Sequence, residues 1–187
     1  MLAALLGLGG AFGCNRSPPP EPHPPAPSTS ALPIGPSLLT EKPLADAMAK
    51  LREAVGGDVM ALELRIYPAR IVLQAQDPAR PSNVDQYIYK EGEVSSPVPV
   101  KLQGTGKLED NLFQLSEVSL DRIPPLAGRA LTELRIEDAH VGFVSVKRDL
   151  PRSMSIRVRV KVSSPRKDAY LDTDLDGNPL DPDAGAP

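Results

Sequence analysis

Proline is concentrated in one stretch of this 187-residue chain, and that stretch limits how much of the chain can fold. Nine of the 22 prolines lie within residues 18–36. Each proline fixes φ and removes a backbone donor, so helix and sheet are both disfavoured there. We therefore predict that residues 14–37 form a disordered tether and that the globular part begins near Leu38. A docking motif for a proline-recognising module is the alternative interpretation of this stretch.

An apolar run at the N-terminal end predicts an export signal. Residues 2–13 carry no charge. The run is too short to span a bilayer, which takes about 20 apolar residues, and it suits the apolar core of a signal peptide over residues 1–13. No Lys or Arg precedes the run, so we expect the natural start to lie further upstream. The alternative is an apolar N-terminal helix in which Cys14 is an ordinary buried cysteine.

The residues before Cys14 resemble a bacterial lipobox. Ala11 and Gly13 place small residues three positions and one position before the cysteine. The resemblance implies that Cys14 receives a diacylglycerol and that the lipid anchors the chain to a membrane, which takes two or more acyl chains. It also implies the bacterial cell envelope. Asn15, in place of Asp, favours the outer membrane, with the protein facing the periplasm or the exterior.

Hydrophobic periodicity after residue 38 predicts a helix and then three strands. Apolar residues at three- and four-residue steps from Leu44 to Val55 indicate the helix. Thr40 is its predicted N-cap, and Gly56 and the glycine after it are its stop signal. Alternation predicts a second strand over residues 71–76 and a third that ends near Glu91. The first predicted strand points these residues inward: Met60, Leu62, Leu64 and Ile66.

The same order of elements recurs after residue 120. Asp121 is the predicted N-cap of a second helix. Strands are predicted over residues 141–146, 154–162 and 168–177, the second of them from strict alternation. The helices and third strands of the two segments correspond at a shift of 83 residues, whereas the first strands need a one-residue slip. The predicted apolar face of the second helix is Ile123, Ala127, Ala130, Leu131 and Leu134.

We therefore predict an α+β fold made of two α-β-β-β units. The units comprise residues 38–95 and 120–178, each with an amphipathic helix packed on a three-stranded antiparallel sheet. Residues 96–119 are predicted to be a polar connector, and residues 179–187 a disordered tail. One unit of this size buries little apolar surface by itself. The sequence leaves open whether the two units stack in layers or pair their sheet edges.

This order of elements, with the endings YIYKEGEV and YLDTDLDGNPL, resembles the PepSY family of small secreted or membrane-tethered modules. The resemblance extends over residues 40–178, taken as two copies. It implies a non-catalytic module that binds a protein or another envelope component, and inhibition or regulation of a peptidase is its most specific form. The order is also similar to β-lactamase-inhibitor-like modules and to small assembly lipoproteins of the outer membrane. The latter implies a structural role as the alternative.

An acidic segment near the C-terminal end has the spacing of a metal-binding loop. Asp172, Asp174, Asp176 and Gly177 form the pattern D-x-D-x-D-G, and Asp183 falls at the twelfth position. Oxygen ligands at alternate positions and a glycine at a sharp bend suit calcium. A calcium-binding surface module is therefore a further alternative function. The competing interpretation is a solvated acidic strand that ends in an Asp-Gly turn.

Two rows of side chains on the predicted strands are candidates for binding a partner. Arg157, Arg159 and Lys161 share one face, which suits contact with anionic lipid, peptidoglycan or an acidic protein. The alternative is a solvated face that discourages edge-to-edge aggregation. Tyr87 and Tyr89 share a face of their strand, which suits a recognition patch. The alternative for these tyrosines is ordinary cross-strand packing.

Composition and motifs argue against several classes of function. A net charge of −3 is unlike the basic character of nucleic-acid binders, and a single cysteine excludes a disulfide framework or a cysteine-rich zinc site. The histidines, His23 and His140, have no metal-binding spacing, and motifs for phosphate binding or hydrolysis are lacking. We therefore expect no enzyme activity, no small-molecule substrate and no cofactor other than calcium. The expected partner is an unidentified envelope protein.

Overall fold

The computed structural model describes residues 37–104 and 106–180, which form an α+β fold. In this part of the chain, nine strands form one open antiparallel sheet, and the two long helices lie against it. The predicted signal peptide, Cys14 and the tether up to residue 36 lie outside the described residues. So do Asp183 and the predicted tail after residue 180.

The first helix, α1 (Glu41–Val55), confirms the prediction made from periodicity. Its buried side chains are the predicted ones, from Leu44 to Val55. Thr40 occupies the N-cap position, but its hydroxyl donates a hydrogen bond of 2.6 Å to the carbonyl oxygen of Ser37 and does not cap the helix amides. Gly56 follows the helix with a φ of +83°, which side chains rarely adopt.

Three strands follow α1 as a meander, and two short strands pair with the outer edge of the third. A bulge at Leu62 shifts the alternation of the first strand. Ala61 is therefore fully buried, whereas Met60 and Leu62 are half-buried, so the predicted inward face is wrong at this end of the strand. The strands are β1 (Met60–Ile66), β2 (Arg70–Asp77), β3 (Arg80–Lys90), β4 (Glu93–Val94) and β5 (Val98–Pro99).

Residues 96–119, predicted to be a polar connector, contribute to the core. Phe113 and Leu115 are at most 1% exposed, and the segment around Phe113 pairs with β1. The predicted polar character is therefore wrong at these positions, because so short an apolar run shows no period. After β5 the segment contains α2 (Leu108–Asn111), β6 (Phe113–Gln114) and a 3₁₀ turn (Leu115–Glu117).

The second long helix, α3 (Ile123–Leu134), begins later than predicted. Asp121 lies in a 3₁₀ turn (Leu120–Arg122), and Arg122 takes the N-cap position, so the predicted cap is wrong. Leu126 is buried in place of Leu131, which is 36% exposed. The leading 3₁₀ turn changes where the helix begins and therefore which leucine faces the sheet.

Three further strands complete the sheet. In the second of them, Ile156, Val158, Val160 and Val162 are buried at alternate positions, as predicted. A bulge at Gly142 in the first of them places Val141 on the same face as Val144, which the plain alternation of the sequence did not predict. The strands are β7 (His140–Arg148), β8 (Ile156–Ser163) and β9 (Asp168–Thr173).

The strand order β4-β3-β2-β1-β7-β8-β9 places the antiparallel pair β1–β7 at the centre of the sheet. Leu64 pairs with Val146, and Ile66 pairs with Val144. Directly paired residues share a face, so the core faces of β1–β3 and β7–β9 lie on one side. The helices α1 and α3 both pack into the one buried cluster on that side.

The exchange of Leu131 for Leu126 in the core can be tested by truncation. We expect Leu126→Ala to lower the free energy of unfolding by about 2–4 kcal/mol, because it opens a cavity beneath α3. Leu131→Ala should cost less than about 1 kcal/mol, since its side chain is already in contact with water. Urea unfolding of both variants measures the difference. A larger loss from Leu131→Ala would contradict the placement of α3.

Candidate functional site

The two long helices, α1 and α3, pack on one face of the sheet and leave the other face uncovered by either of them. We call this second face the open face. Register and burial assign its residues, because the side chains that point away from the core alternate with the buried ones on each strand. The residues of the open face include Glu63, Arg65, Tyr67, Arg70, Val72, Gln74, Gln86, Ile88, Phe143, Ser145, Lys147, Arg157, Arg159, Lys161, Asp168, Tyr170 and Asp172.

Two aromatic rings and two guanidinium groups meet where β1, β2 and β7 are adjacent on the open face. The ring centroids of Tyr67 and Phe143 are 5.7 Å apart, and the planes are tilted by 55°. The Cζ atom of Arg65 lies 5.3 Å from the Phe143 centroid, and that of Arg70 lies 4.3 Å from the Tyr67 centroid. We call these four residues the aromatic–arginine cluster. Each ring is covered by a cation at a distance typical of cation–π contact.

Arg65 is held in place by more than its contact with Phe143. Its guanidinium bonds to the carboxylate of Glu63 and reaches the Tyr67 hydroxyl. Burial alone would lower the pKa of Arg65, but the hydrogen bonds with Tyr67 and Glu63 and the charge interactions with the same residues together outweigh it and keep the pKa above its ordinary value. The side chain is therefore a fixed cation in the middle of the sheet.

The predicted basic row on β8 lies on the open face, but acidic side chains neutralise it. Arg159 donates two hydrogen bonds, of 2.7 and 2.6 Å, to the carboxylate of Asp172, the residue paired with it on β9. Arg157 forms an ion pair of 2.7 Å with Asp149, and each side chain is 12% exposed. Neither arginine presents a free charge to a partner. The acidic partners, Asp172 and Asp149, lie outside β8, so the alternation of residues within that strand does not predict them.

The third member of the row, Lys161, also has an acidic partner. Its ammonium nitrogen lies 2.7 Å from the carboxylate of Asp168. The hydrogen bond from Lys161 is the main reason why the pKa of Asp168 lies below its ordinary value, and the same bond raises the pKa of Lys161. The row is thus a ladder of ion pairs that joins β8 to its neighbours.

The candidate calcium ligands do not converge. Asp172 binds Arg159, and Asp176 forms an ion pair of 2.6 Å with Arg122. Asp174 accepts hydrogen bonds from the backbone and side chain of Asn178, each of 2.9 Å. Among the described residues, no group of three or more metal-binding side chains is present, and Asp183 lies outside them. The described part of the segment is a turn held by its own aspartates.

Tyr87 and Tyr89 lie on the core side of β3. Tyr87 pairs with the fully buried Leu73 and is 6% exposed. Its burial raises the pKa of its hydroxyl. Tyr89 is half-buried and packs against the same core. Both tyrosines therefore take part in cross-strand packing, which was the alternative interpretation of the sequence. Neither of them contributes to the open face.

The helical side of the molecule has a cavity of about 300 Å³ between α3 and the turn after β9. Its walls include Leu126, Val158 and Leu175, and two arginines lie beside it. Both arginines are engaged within the fold: Arg122 pairs with Asp176, and Arg129 donates a hydrogen bond of 2.8 Å to the carbonyl oxygen of Gly177. These contacts fix the turn to the helix and leave a shallow, mainly apolar hollow.

Comparison of the chain with models of protein families, with curated proteins and with solved structures finds no match. None of the helices in the described ranges is both long and apolar enough to cross a membrane.

The turn after β9 gives a pH-dependent prediction. Burial opposes ionisation of Asp174, but the hydrogen bonds from Asn178, Asp176 and Gly177 lower its pKa below the ordinary 3.8. The stabilisation is therefore present above the ordinary pKa and is lost as the pH falls through the lowered value. We expect Asp174→Asn to lower the Tm at neutral pH, and we expect the difference from the wild type to shrink as the pH falls below the ordinary pKa of an aspartate.

The matched control for this variant is Asp176→Asn. This substitution removes an ion pair whose side chains are 51% and 74% exposed, so it should change the Tm little. Thermal unfolding followed by circular dichroism between pH 2 and 7 measures both. A Tm difference for Asp174→Asn that persists at low pH would show that its ionised form does not stabilise the turn.

Proposed function

We propose that this protein is a non-catalytic, lipid-anchored protein of the bacterial cell envelope that binds another protein through its open face. The observation that carries this proposal is the aromatic–arginine cluster, which lies beside the β1–β2 turn on the sheet face that neither α1 nor α3 covers. Tyrosine and arginine are enriched among the residues that dominate binding energy at protein interfaces. A cluster whose side chains are already fixed loses little conformational entropy on binding.

The anchoring part of the proposal is supported by the order of the N-terminal segments. An apolar run, Cys14 and a proline-rich stretch precede the folded part in that order. A tether of residues 15–36 in polyproline II conformation would extend about 70 Å. That length would carry the open face clear of the lipid surface, where a second envelope protein could reach it. In the most specific form of the proposal, which the PepSY resemblance implies, the partner is a peptidase that is inhibited or regulated.

We further propose that the fold consists of two related α-β-β-β units. The buried residues Ala61, Leu64 and Ile66 on β1 correspond to Val141, Val144 and Val146 on β7 at a shift of 80 residues, and each strand has its bulge at the corresponding position. The buried face of α1 maps onto that of α3 at a shift of 79 residues, starting from Leu44 and Ile123. The two segments agree in which residues are buried and in where the bulge lies. This agreement supports a duplicated unit more strongly than a similar amino-acid composition would.

The β1–β7 pairing has the symmetry that two such units would produce. Arg65 pairs with Ser145, its counterpart at the shift of 80. On either side, Leu64 pairs with Val146, the counterpart of Ile66, and Ile66 pairs with Val144, the counterpart of Leu64. A twofold axis between identical edges has this property. The predicted shift of 83 is wrong for the helices, because it maps the buried Met48 onto the exposed Leu131. It is also wrong for the third strands, because Tyr87 pairs with the core residue Leu73 whereas Tyr170 pairs with Lys161 on the open face.

A second candidate function, in assembly, is favoured by the outer edge of β9. Within the described residues, Pro179 and Leu180 pair with the last part of this edge, at Thr173 and Asp172. The backbone of residues 168–171 has no described partner on that side. A strand of another envelope protein could extend the sheet there by backbone hydrogen bonds. The edge is short, so we rank this function below binding at the open face.

The lipid anchor can be tested by metabolic labelling. In a bacterial host we expect labelled palmitate to be incorporated into the wild-type chain and not into Cys14→Ser, because the thiol is the attachment point. The variant should also leave the membrane fraction. Equal labelling of both chains, or none of either together with an unprocessed N-terminus, would contradict the anchor.

Binding at the open face can be tested with a photo-crosslinking amino acid. We expect a crosslinked product when it replaces Phe143 on the open face, and none when it replaces Leu131, which is exposed on the helical side. Gel mobility of the chain after irradiation of intact cells measures both. A product from both positions, or from Leu131 alone, would contradict the choice of face.

A further inference from the structure

We infer that the partner presents an acidic protein segment to the open face and that Arg70 and Lys147 bind its carboxylates. This inference rests on the proposed binding at the open face and names the chemistry of the partner. It starts from the difference between cations that have an acidic partner within the fold and cations that have none.

Most cations of the open face have an acidic partner. Arg65 pairs with Glu63, and the row on β8 pairs with acidic residues on and beside its neighbouring strands. Arg70 and Lys147 are exposed, and within the described residues neither forms an ion pair or a side-chain hydrogen bond. The positive charge left for a partner is therefore concentrated at these two positions.

Arg70 is held ready to bind a carboxylate. Its guanidinium lies over the ring of Tyr67, with 4.3 Å between Cζ and the ring centroid. Tyr67 is held in turn by its contact with Phe143. Contact with a ring uses none of the hydrogen-bonding capacity of a guanidinium, so its N–H groups remain available for a two-point hydrogen bond to a carboxylate. Less side-chain entropy is then lost when the anion binds.

Lys147 lies at the other end of β1, at the rim of a second cavity. The register that pairs Leu64 with Val146 brings Lys147 level with Glu63. The cavity has a volume of about 240 Å³, and Gln74 and Asn111 are among its other lining residues. Measured along the strand direction, Lys147 lies about 13 Å from the end of β1 that is beside Arg70. An extended segment of about five residues spans this distance.

The open face suits a protein segment better than a flat anionic membrane. Asp168 and Asp172 lie on the same face as the two free cations, and Glu63 lies beside Lys147, but a cation of the fold already pairs with each of these three carboxylates. Attraction to an anionic bilayer takes a cluster of several basic residues, whereas only two cations of the open face lack an acidic partner within the described residues. A segment with spaced carboxylates can contact Arg70 and Lys147 and avoid the acidic positions, which is how charge pattern gives specificity.

The test uses the full chain with Cys14→Ser, which can be purified without detergent, and two fluorescein-labelled peptides. One peptide alternates Glu with Ser, and the other alternates Gln with Ser. Fluorescence anisotropy at about 50 mM salt, where surface charges are weakly screened, measures binding. We expect the Glu peptide to bind and the Gln peptide not to bind. The double variant Arg70→Gln, Lys147→Gln should bind the Glu peptide at least about tenfold more weakly, because two charge-assisted contacts are lost.

The matched control is the double variant Lys42→Gln, Arg166→Gln. It removes one Lys and one Arg that are exposed away from the open face and form no ion pair within the described residues. Its affinity for the Glu peptide should stay within about twofold of the unsubstituted chain, since net charge alone acts weakly. Circular dichroism of both variants confirms that the substitutions at exposed positions leave the fold intact.

Equal weakening in both double variants would overturn the inference, because the attraction would then follow net charge. Failure of the Glu peptide to bind would also overturn the inference. This includes the case in which the chain binds phosphatidylglycerol vesicles and the Arg70→Gln, Lys147→Gln variant does not. Neither result touches the crosslinking test at Phe143. A crosslink there without acidic-peptide binding would leave the proposed function standing and remove this account of the partner.

Discussion

The antiparallel pairing of β1 with β7 is the interaction on which the rest of the structure depends. Through it, two three-stranded segments become one sheet, and two edges that would otherwise be exposed are removed. The pairing aligns Leu64 and Ile66 with Val146 and Val144, so the buried surface is continuous across the junction beneath both helices. A three-stranded segment with one helix would bury little surface alone. The folded part therefore relies on this pairing for an adequate core.

The same pairing determines what lies on the opposite face. Residues directly paired across β1 and β7 alternate between the two faces, so Arg65 and Ser145 lie on the open face between the buried pairs. One position beyond the pair Ile66–Val144, the same register brings Tyr67 opposite Phe143, and Phe143 therefore lies beside Arg65 and Tyr67. The cluster is thus a consequence of register and cannot be moved without moving the core residues of the same strands.

The sequence predicted those elements whose local pattern agrees with their environment. The helix from Leu44 to Val55 and the alternating strand β8 both have an uninterrupted period, and both were found as predicted. Errors arose where a local irregularity changed the phase, as at the bulge at Leu62 and at the 3₁₀ turn that contains Asp121. The candidate site was harder still. Its cluster combines residues from β1, β2 and β7, and only the pairing of strands brings them together.

The charges of the open face show why a basic sequence pattern need not be a basic surface. The basic residues of β8 form a row in the sequence, but β9 lies beside them and supplies Asp172 to Arg159 and Asp168 to Lys161. Such pairs satisfy charges that would otherwise be partly desolvated on the sheet. Arg70 lies at the start of β2, and its guanidinium lies over an aromatic ring instead. In this fold, Arg70 is therefore the cation that indicates a binding site, because an uncharged neighbour fixes its position and its charge remains available to a partner.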